Sequence, residues 1–293
     1  MNAPVENESP GGSEMKFRKV CYHIIMVLLL INFLFSAFYV CTYILDSREQ
    51  KAEYDDLAAL VEQVRQEQAM AGTEAVPGET ASAETGNPED PDGPTEEPES
   101  DILPEYRQAY EMNSDLAGWL SIDGTDVNYP VMQTPDKPDY YLHRNFKKED
   151  NIHGCLYARE QCDVNAPSDN VTIYGHHMRD GSMFGSLEKY LKKSYWEEHD
   201  TLRFDTLTER HTYRIFAVFR TTASVGEGFR YHQFVDAADE EEFNDFVATC
   251  KELGRDFYDT GITPEYGDKL ICLSTCEYTR ENGRLVVAAV RID

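Results

Sequence analysis

The strongest constraint on this chain is a run of 26 residues, Val20 to Leu45, that contains no Lys, Arg, Asp or Glu. At about 1.5 Å of rise per residue the run is roughly 39 Å long as a helix, enough to cross a hydrocarbon layer of about 30 Å with some tilt. Tyr22, Tyr39 and Tyr43 sit near its ends, where amphipathic rings favour the headgroup region. A core helix has no need of so long an apolar surface. A cleavable secretory signal would be shorter and would carry small residues at its processing site, which Phe38-Tyr39-Val40-Cys41 does not supply. The run reads as an uncleaved signal-anchor over 20–45. Lys16, Arg18 and Lys19 precede it closely, whereas Arg48 and Lys51 follow diluted among Asp46, Glu49 and Glu53. By the positive-inside rule, residues 1–19 are a short cytoplasmic tail and everything after residue 45 is extracellular.

Residues 46–70 carry Tyr54, Leu57, Leu60, Val61 and Val64 at spacings of three and four, which predicts a helical stalk or a self-association seam. Residues 71–101 hold ten acidic residues, five Pro and four Gly without a Lys or Arg. Such a segment buries too little apolar surface to offset its ordering entropy, so it reads as an extended acidic tether. Charge divides accordingly: residues 1–101 have 6 basic and 20 acidic groups, and 102–293 have 21 and 34. The net charge of -27 argues against broad nucleic-acid binding, which needs a basic face. A 41% hydrophobic and 12% aromatic content excludes a wholly disordered chain.

The 192 residues of 102–293 suit one domain with a proper core. Leu103 to Met112 predicts a short helix. Strand signals follow at Gly118–Ile122, Val127–Val131, 154–158, 171–175, 201–205, 212–220, 269–275 and 284–292, with an Asp123-Gly124 turn between the first two. Two helical patterns interrupt them, Met183 to Glu198 and Asp236 to Leu253, the second with an acidic first turn that suits the helix dipole. The expected fold is mostly β, a barrel or sandwich decorated with a few helices. The Met and aromatic stripes on those helices read as core packing.

Of seven Cys, five lie beyond the span, at 155, 162, 250, 272 and 276, an odd number that leaves at least one unpaired within the chain. Spacing permits a Cys155–Cys162 disulfide without establishing it, and no C-x-x-C pair suggests a zinc site. Cys276 stands apart by its setting. Leu270 to Cys276 is an apolar strand ending in small hydroxyl residues, and after a turn Arg284 opens a second apolar strand, Leu285 to Val290. Upstream, Val171 to Tyr174 is a strand running into Gly175-His176-His177. A thiol nucleophile needs a basic or cationic neighbour, a proton source for the leaving group and a donor for the oxyanion. Cys, His and Arg at three strand ends match those needs, and a buried Cys with a surface His and a solvated Arg is the competing reading.

Three ordered motifs in this region carry a resemblance. Ile173-Tyr174-Gly175-His176-His177-Met178 with Asp180-Gly181-Ser182-Met183-Phe184 is similar to the histidine motif of the class B sortases. Leu273-Ser274-Thr275-Cys276 resembles their cysteine signature and Arg284-Leu285-Val286-Val287 their arginine strand, across roughly residues 102–293. The resemblance implies a sortase β-barrel as the catalytic domain over 102–293. It also implies a membrane-bound cysteine transpeptidase/endopeptidase of the hydrolase class on the outer face of a Gram-positive cell, with no cofactor and no metal. Such an enzyme cuts a C-terminal sorting signal of NPxT or LPxT type after Thr, and joins the acyl fragment to an amine on a peptidoglycan precursor or a pilin Lys. Carried over, Cys276 is the thioester-forming nucleophile, His176 the general acid and then base, and Arg284 the group that binds the substrate backbone and the oxyanion. Ser274 and Thr275 become substrate-binding residues. The partners implied are sorting-signal-bearing surface proteins or pilins and the amine acceptor.

Alternatives stand beside these assignments. His177 competes with His176, though strand alternation points it to the opposite face. Cys272 reads as core, and a His176–His177 metal pair lacks further ligands at suitable spacing. Ser274 lacks the G-x-S-x-G elbow of a serine hydrolase. Some class B members carry an acidic residue two positions after the Cys, where this chain has Tyr278. A silent tethered binding module and a purely hydrolytic cysteine protease are the rival functions.

Overall fold

Leu270 to Leu273 and Leu285 to Val290 are apolar at every position, a pattern that suits strands covered on both faces, and the architecture provides that cover. The structure, a computed structural model, describes residues 11–73, 101–224 and 226–293. The first ten residues of the expected tail and most of the expected tether, 74–100, lie outside the described residues. The elements in chain order are α1 (Gly11–Thr73), α2 (Pro104–Met112), β1 (Leu116–Ser121), β2 (Asn128–Met132), β3 (Leu156–Ala158) and β4 (Asn170–Tyr174). They continue with α3 (Lys193–Glu198), β5 (Thr201–Thr206), β6 (Thr212–Thr222), α4 (Glu240–Gly254), β7 (Leu270–Glu277) and β8 (Gly283–Arg291). The strands close into a barrel in the order β1-β2-β3-β4-β7-β8-β6-β5. β2 with β3 and β4 with β7 run parallel, and the other neighbours antiparallel.

Alternation along β7 and β8 builds two cores back to back. Ile271, Leu273, Leu285, Val287 and Ala289 join the main cluster with Leu120, Val131, Ile173 and Phe204. The alternate residues Leu270, Cys272, Val286 and Ala288 join a second cluster under α4, with Phe243, Phe246, Val247 and Cys250. Asp239 caps α4, its side chain accepting from the Glu242 N–H at 3.0 Å. The pattern over Met183 to Glu198 resolves differently from the expected single helix. A 3-10 helix spans Gly185–Leu191, Lys192 is extended, and α3 begins at Lys193. Met183 itself takes a left-handed φ of 52°, so it cannot start a helix. Met183, Phe184, Leu187 and Tyr190 are nonetheless buried.

The chain divides into two compact units between Ala52 and Glu53. In the first, the side chains between Val20 and Leu45 are largely exposed, and the helix is long and apolar enough to cross a membrane by length and composition. In the second, the helical stripe meets the barrel. Tyr54, Leu57 and Val61 are at most 4% exposed and belong to the main core, each burial worth up to about 1.5–3 kcal/mol. The segment expected as a stalk or self-association seam is helical, and Tyr54, Leu57 and Val61 on its apolar face pack into the main core. Arg65 Nη2 closes the contact 2.7 Å from Asp205 Oδ2, which also accepts from the Tyr106 hydroxyl at 2.6 Å. Buried Glu105 receives Arg210 at 2.6 Å and lies 3.5 Å from Arg65 Nε. Burial pushes the Glu105 carboxyl up, but a backbone N–H and the Arg210 and Arg65 guanidinium groups outweigh it and hold it below its ordinary value.

Candidate active site

Register places the sequence motifs side by side. β4 runs parallel to β7 with Tyr174 opposite Ser274, and the Gly175 N–H continues the ladder to the Ser274 carbonyl at 3.1 Å. Cys276 pairs directly with Arg284 across the β7–β8 hairpin, so their side chains leave the same face, the one that carries Cys272 and Val286 into the second core. There the apolar cover ends and a groove of about 330 Å³ opens. Its lining includes His176, Ser274, Thr275, Cys276 and Arg284. Gly175 sits at the bend because a Cβ there would run into the Leu156 and Phe184 side chains.

The two histidines part company. His176 Nε2 lies 2.6 Å from the Leu142 carbonyl, at the 3-10 helix Tyr140–His143. A carbonyl only accepts, so Nε2 carries hydrogen and Nδ1 is the nitrogen left for proton exchange. Burial lowers the His176 pKa, the Leu142 carbonyl raises it, and the neighbouring His143 lowers it, with a net downward shift. His177 does not line the groove; its Nδ1 donates to the Cys276 carbonyl at 2.9 Å, and its Nε2 is 3.7 Å from Glu188. Tyr278, the position compared with an acidic residue, is exposed and sets its ring edgewise to His177 at 5.3 Å. Glu277 turns away from the groove and accepts from Thr279, with Arg220 at 3.6 Å.

Arg284 donates through Nη1 to the carbonyls of Asn282 and Gly283, at 3.3 and 3.0 Å, and has no carboxylate within 4 Å among the described residues. The Ser274 hydroxyl is 2.5 Å from that of Tyr231. Thr275 is 2% exposed and its buried Oγ1 has no hydrogen-bond partner among the described residues. Cys272 is a buried core thiol, its pKa pushed up by burial. Cys155 and Cys162 are both free: Cys155 Sγ lies 3.1 Å from the Tyr54 hydroxyl, and Cys162 Sγ lies 3.5 Å from the Asn170 carbonyl.

Sequence reasoning missed several groups in this groove. Arg159, Tyr231 and His232 line it, and the His143 ring stacks on that of His176 at 5.5 Å between centroids. Burial and the fields of Arg159, Arg230 and Arg284 lower the His232 pKa. None of these sits in a motif; each arrives through a connection between strands, where periodicity carries no signal.

The sortase domain family matches residues 120–292. Sortase B of Listeria monocytogenes is 32% identical over 198 residues, covering 67% of this chain and 77% of that one. Sortase B of Staphylococcus aureus is 29% identical over 190 residues, covering 64% and 75%. Among solved structures, sortase B from B. anthracis in complex with AAEK1 aligns at a TM-score of 0.58 with 34% identity, over 66% of this chain and 87% of that one. A Staphylococcus aureus sortase B–substrate complex aligns at 0.68 over 85% and 99%, at 23% identity a likeness of fold alone. A closed eight-stranded barrel, the family match and these class B relatives agree: the chain belongs to the sortase family of cysteine transpeptidases that anchor surface proteins, and within it to class B.

Proposed function

We propose that this chain cleaves a C-terminal sorting signal of NPxT or LPxT type after its Thr and transfers the acyl fragment to an amine, through a thioester on Cys276. One observation carries the reading: Cys276 and Arg284 are cross-strand partners, and His176 opens on the same groove. The Cys276 thiol gives its proton to His176 Nδ1 as its sulfur attacks the Thr carbonyl carbon, and Arg284 binds the substrate backbone and the developing oxyanion. As the C–N bond breaks, His176 passes the proton on Nδ1 to the leaving amine. The incoming amine then attacks the thioester, His176 Nδ1 takes its proton, and as the C–S bond breaks His176 passes that proton to the departing sulfur, which returns the thiol and the neutral imidazole. Burial of His176 lowers its pKa and so makes its protonated form a stronger acid toward the leaving amine. Ser274 and Thr275 border the acyl site. The acceptor is an amine of a peptidoglycan precursor or a pilin Lys. The apolar helix anchors the chain in the cell membrane with its N-terminus inside and residues 102–293 outside as the catalytic domain.

The test uses the full chain in detergent micelles with a panel of sorting-signal peptides, analysed by mass spectrometry with and without a small amine. Cleavage after Thr is expected in the wild type, with an amine-dependent transfer product, and none with Cys276→Ala. Turnover that survives Cys276→Ala overturns the mechanism, and products unaffected by the amine reduce the enzyme to a hydrolase.

A further inference from the structure

The proposed acid/base is held by one short element from two directions. The 3-10 helix Tyr140–His143 offers its Leu142 carbonyl to the edge of the His176 ring at 2.6 Å. The same helix lays the His143 ring over the face of His176, at 5.5 Å between centroids and 25° between planes. The element is itself pinned. Tyr157 donates to Asp139 Oδ1 at 2.8 Å, the Cys155 N–H to the Tyr141 carbonyl at 3.1 Å, and the Asn151 N–H to the His143 carbonyl at 2.9 Å. Arg144 caps it, lying 4.4 Å over the Tyr140 ring and 3.6 Å from Asp150. His143 is exposed, so it contributes little to the core. Its ring stacks on that of His176.

We propose that His143 is a positioning residue for the reaction: its ring sets the plane in which His176 presents Nδ1 to the groove, and a charge on that ring opposes a second charge beneath it. The inference rests on the role proposed for His176. A flat partner on one face and a carbonyl at the edge together fix the ring's tilt and its spin, which neither contact does alone. A positive charge on one stacked imidazole also opposes a positive charge on the other. His176 thus becomes an acid whose protonation depends on a solvent-facing neighbour. Other titratable or charged groups face the groove: Asp139 at the start of the 3-10 helix, Tyr157, Arg159 and Glu160 from β3 and the chain after it, and Tyr174 from β4. His232 follows β6, and Cys276 and Arg284 come from the hairpin. His143 is the one whose field lowers the His176 pKa, alongside burial.

The experiment is a proton NMR titration of the full chain in detergent micelles, with the histidines labelled at Cε1, run beside pH profiles of kcat and kcat/KM on a sorting-signal peptide. The variants are His143→Phe, which keeps a ring and removes the charge, and His143→Ala, which removes both. In the wild type His176 should titrate over a broadened range. In both variants it should sharpen to a single-site curve with its midpoint raised by about 0.5 to 1 pH unit, the effect of one charge at this separation. His143→Ala should lower kcat about three- to tenfold with KM unchanged, and His143→Phe should restore kcat. An unchanged His176 midpoint in both variants overturns the electrostatic half, and equal kcat losses in Phe and Ala overturn the positioning half. The titration needs no turnover. A shifted midpoint in a protein whose activity survives His176→Ala would therefore sink the acid/base assignment and leave the coupling of the two rings standing.

Discussion

The two walls of the groove are built by different physics. The hairpin wall is local: Cys276 and Arg284 are joined by one short connection, residues 278–282, and face each other in a continuous ladder, with apolar cores on both sides of the sheet. The histidine wall is assembled at long range. His176 lies past the end of β4, and its ring depends on a carbonyl 34 residues upstream and on a stacked ring beside it. Its backbone carbonyl accepts from the Phe184 N–H at 3.0 Å, and the left-handed Met183 is held by the Tyr129 hydroxyl at 3.2 Å. The hairpin sets a distance that is hard to alter without unfolding the sheet. The histidine wall is a sum of contacts each worth about 1 kcal/mol, so it is the half that sequence change can tune.

The largest expected effect tests which imidazole belongs to that wall. His176→Ala should lower kcat/KM by about 10³-fold, within the usual range for losing an acid/base group. His177→Ala should cost less than about tenfold, since it removes a donor to the Cys276 carbonyl and not a groove-lining group. Steady-state kinetics on one peptide decide it, and the reverse ranking would hand the role to His177. Next comes the hairpin wall. Arg284→Lys keeps the charge and loses the fork, so kcat/KM should fall about 10- to 100-fold while thermal stability holds. Wild-type rates in that variant would mean that charge alone suffices at this position.

Much of the hairpin wall was legible because its information is local. Apolar runs with a turn between them, ending in Cys276 and opening at Arg284, define a pair of strands whose register follows from the turn. Each of the eight strands falls within about two residues of its expected position, for the same reason of alternation and apolar runs. The histidine wall was half visible. The Tyr174-Gly175-His176 motif stands out, but Leu142 and His143 sit in a connection with no period to mark them, and a backbone carbonyl leaves no trace in residue type. The stripe Tyr54-Leu57-Val61 announced a buried face without naming what buries it. Spacing says that a helix needs a partner; only closure of the barrel supplies the partner.

That helix provides the gentlest way to separate the two walls. The Tyr54 hydroxyl is shared between the Gly154 carbonyl at 2.8 Å and Cys155 Sγ at 3.1 Å. Gly154 has a φ of +57°, and a Cβ there would stand 2.5 and 2.6 Å from the Leu142 and Tyr141 carbonyls, so it packs directly behind the carbonyl that holds His176. The Tyr54 ring also meets Tyr129 edgewise at 5.3 Å, and Tyr129 anchors Met183. Tyr54→Phe keeps the ring and leaves the buried Gly154 carbonyl without this donor, so it should destabilise the protein by about 1 to 2 kcal/mol. Tyr54→Ala should cost about 3 to 5 kcal/mol by adding a cavity. Hydrogen exchange in the Phe variant should quicken over residues 141–155 and 176–184 before it changes in β7 and β8, because only the histidine wall loses a support. Uniform acceleration across both regions would show that the walls yield as one mechanical unit, and the division between a rigid hairpin and a tunable histidine wall would have to be abandoned.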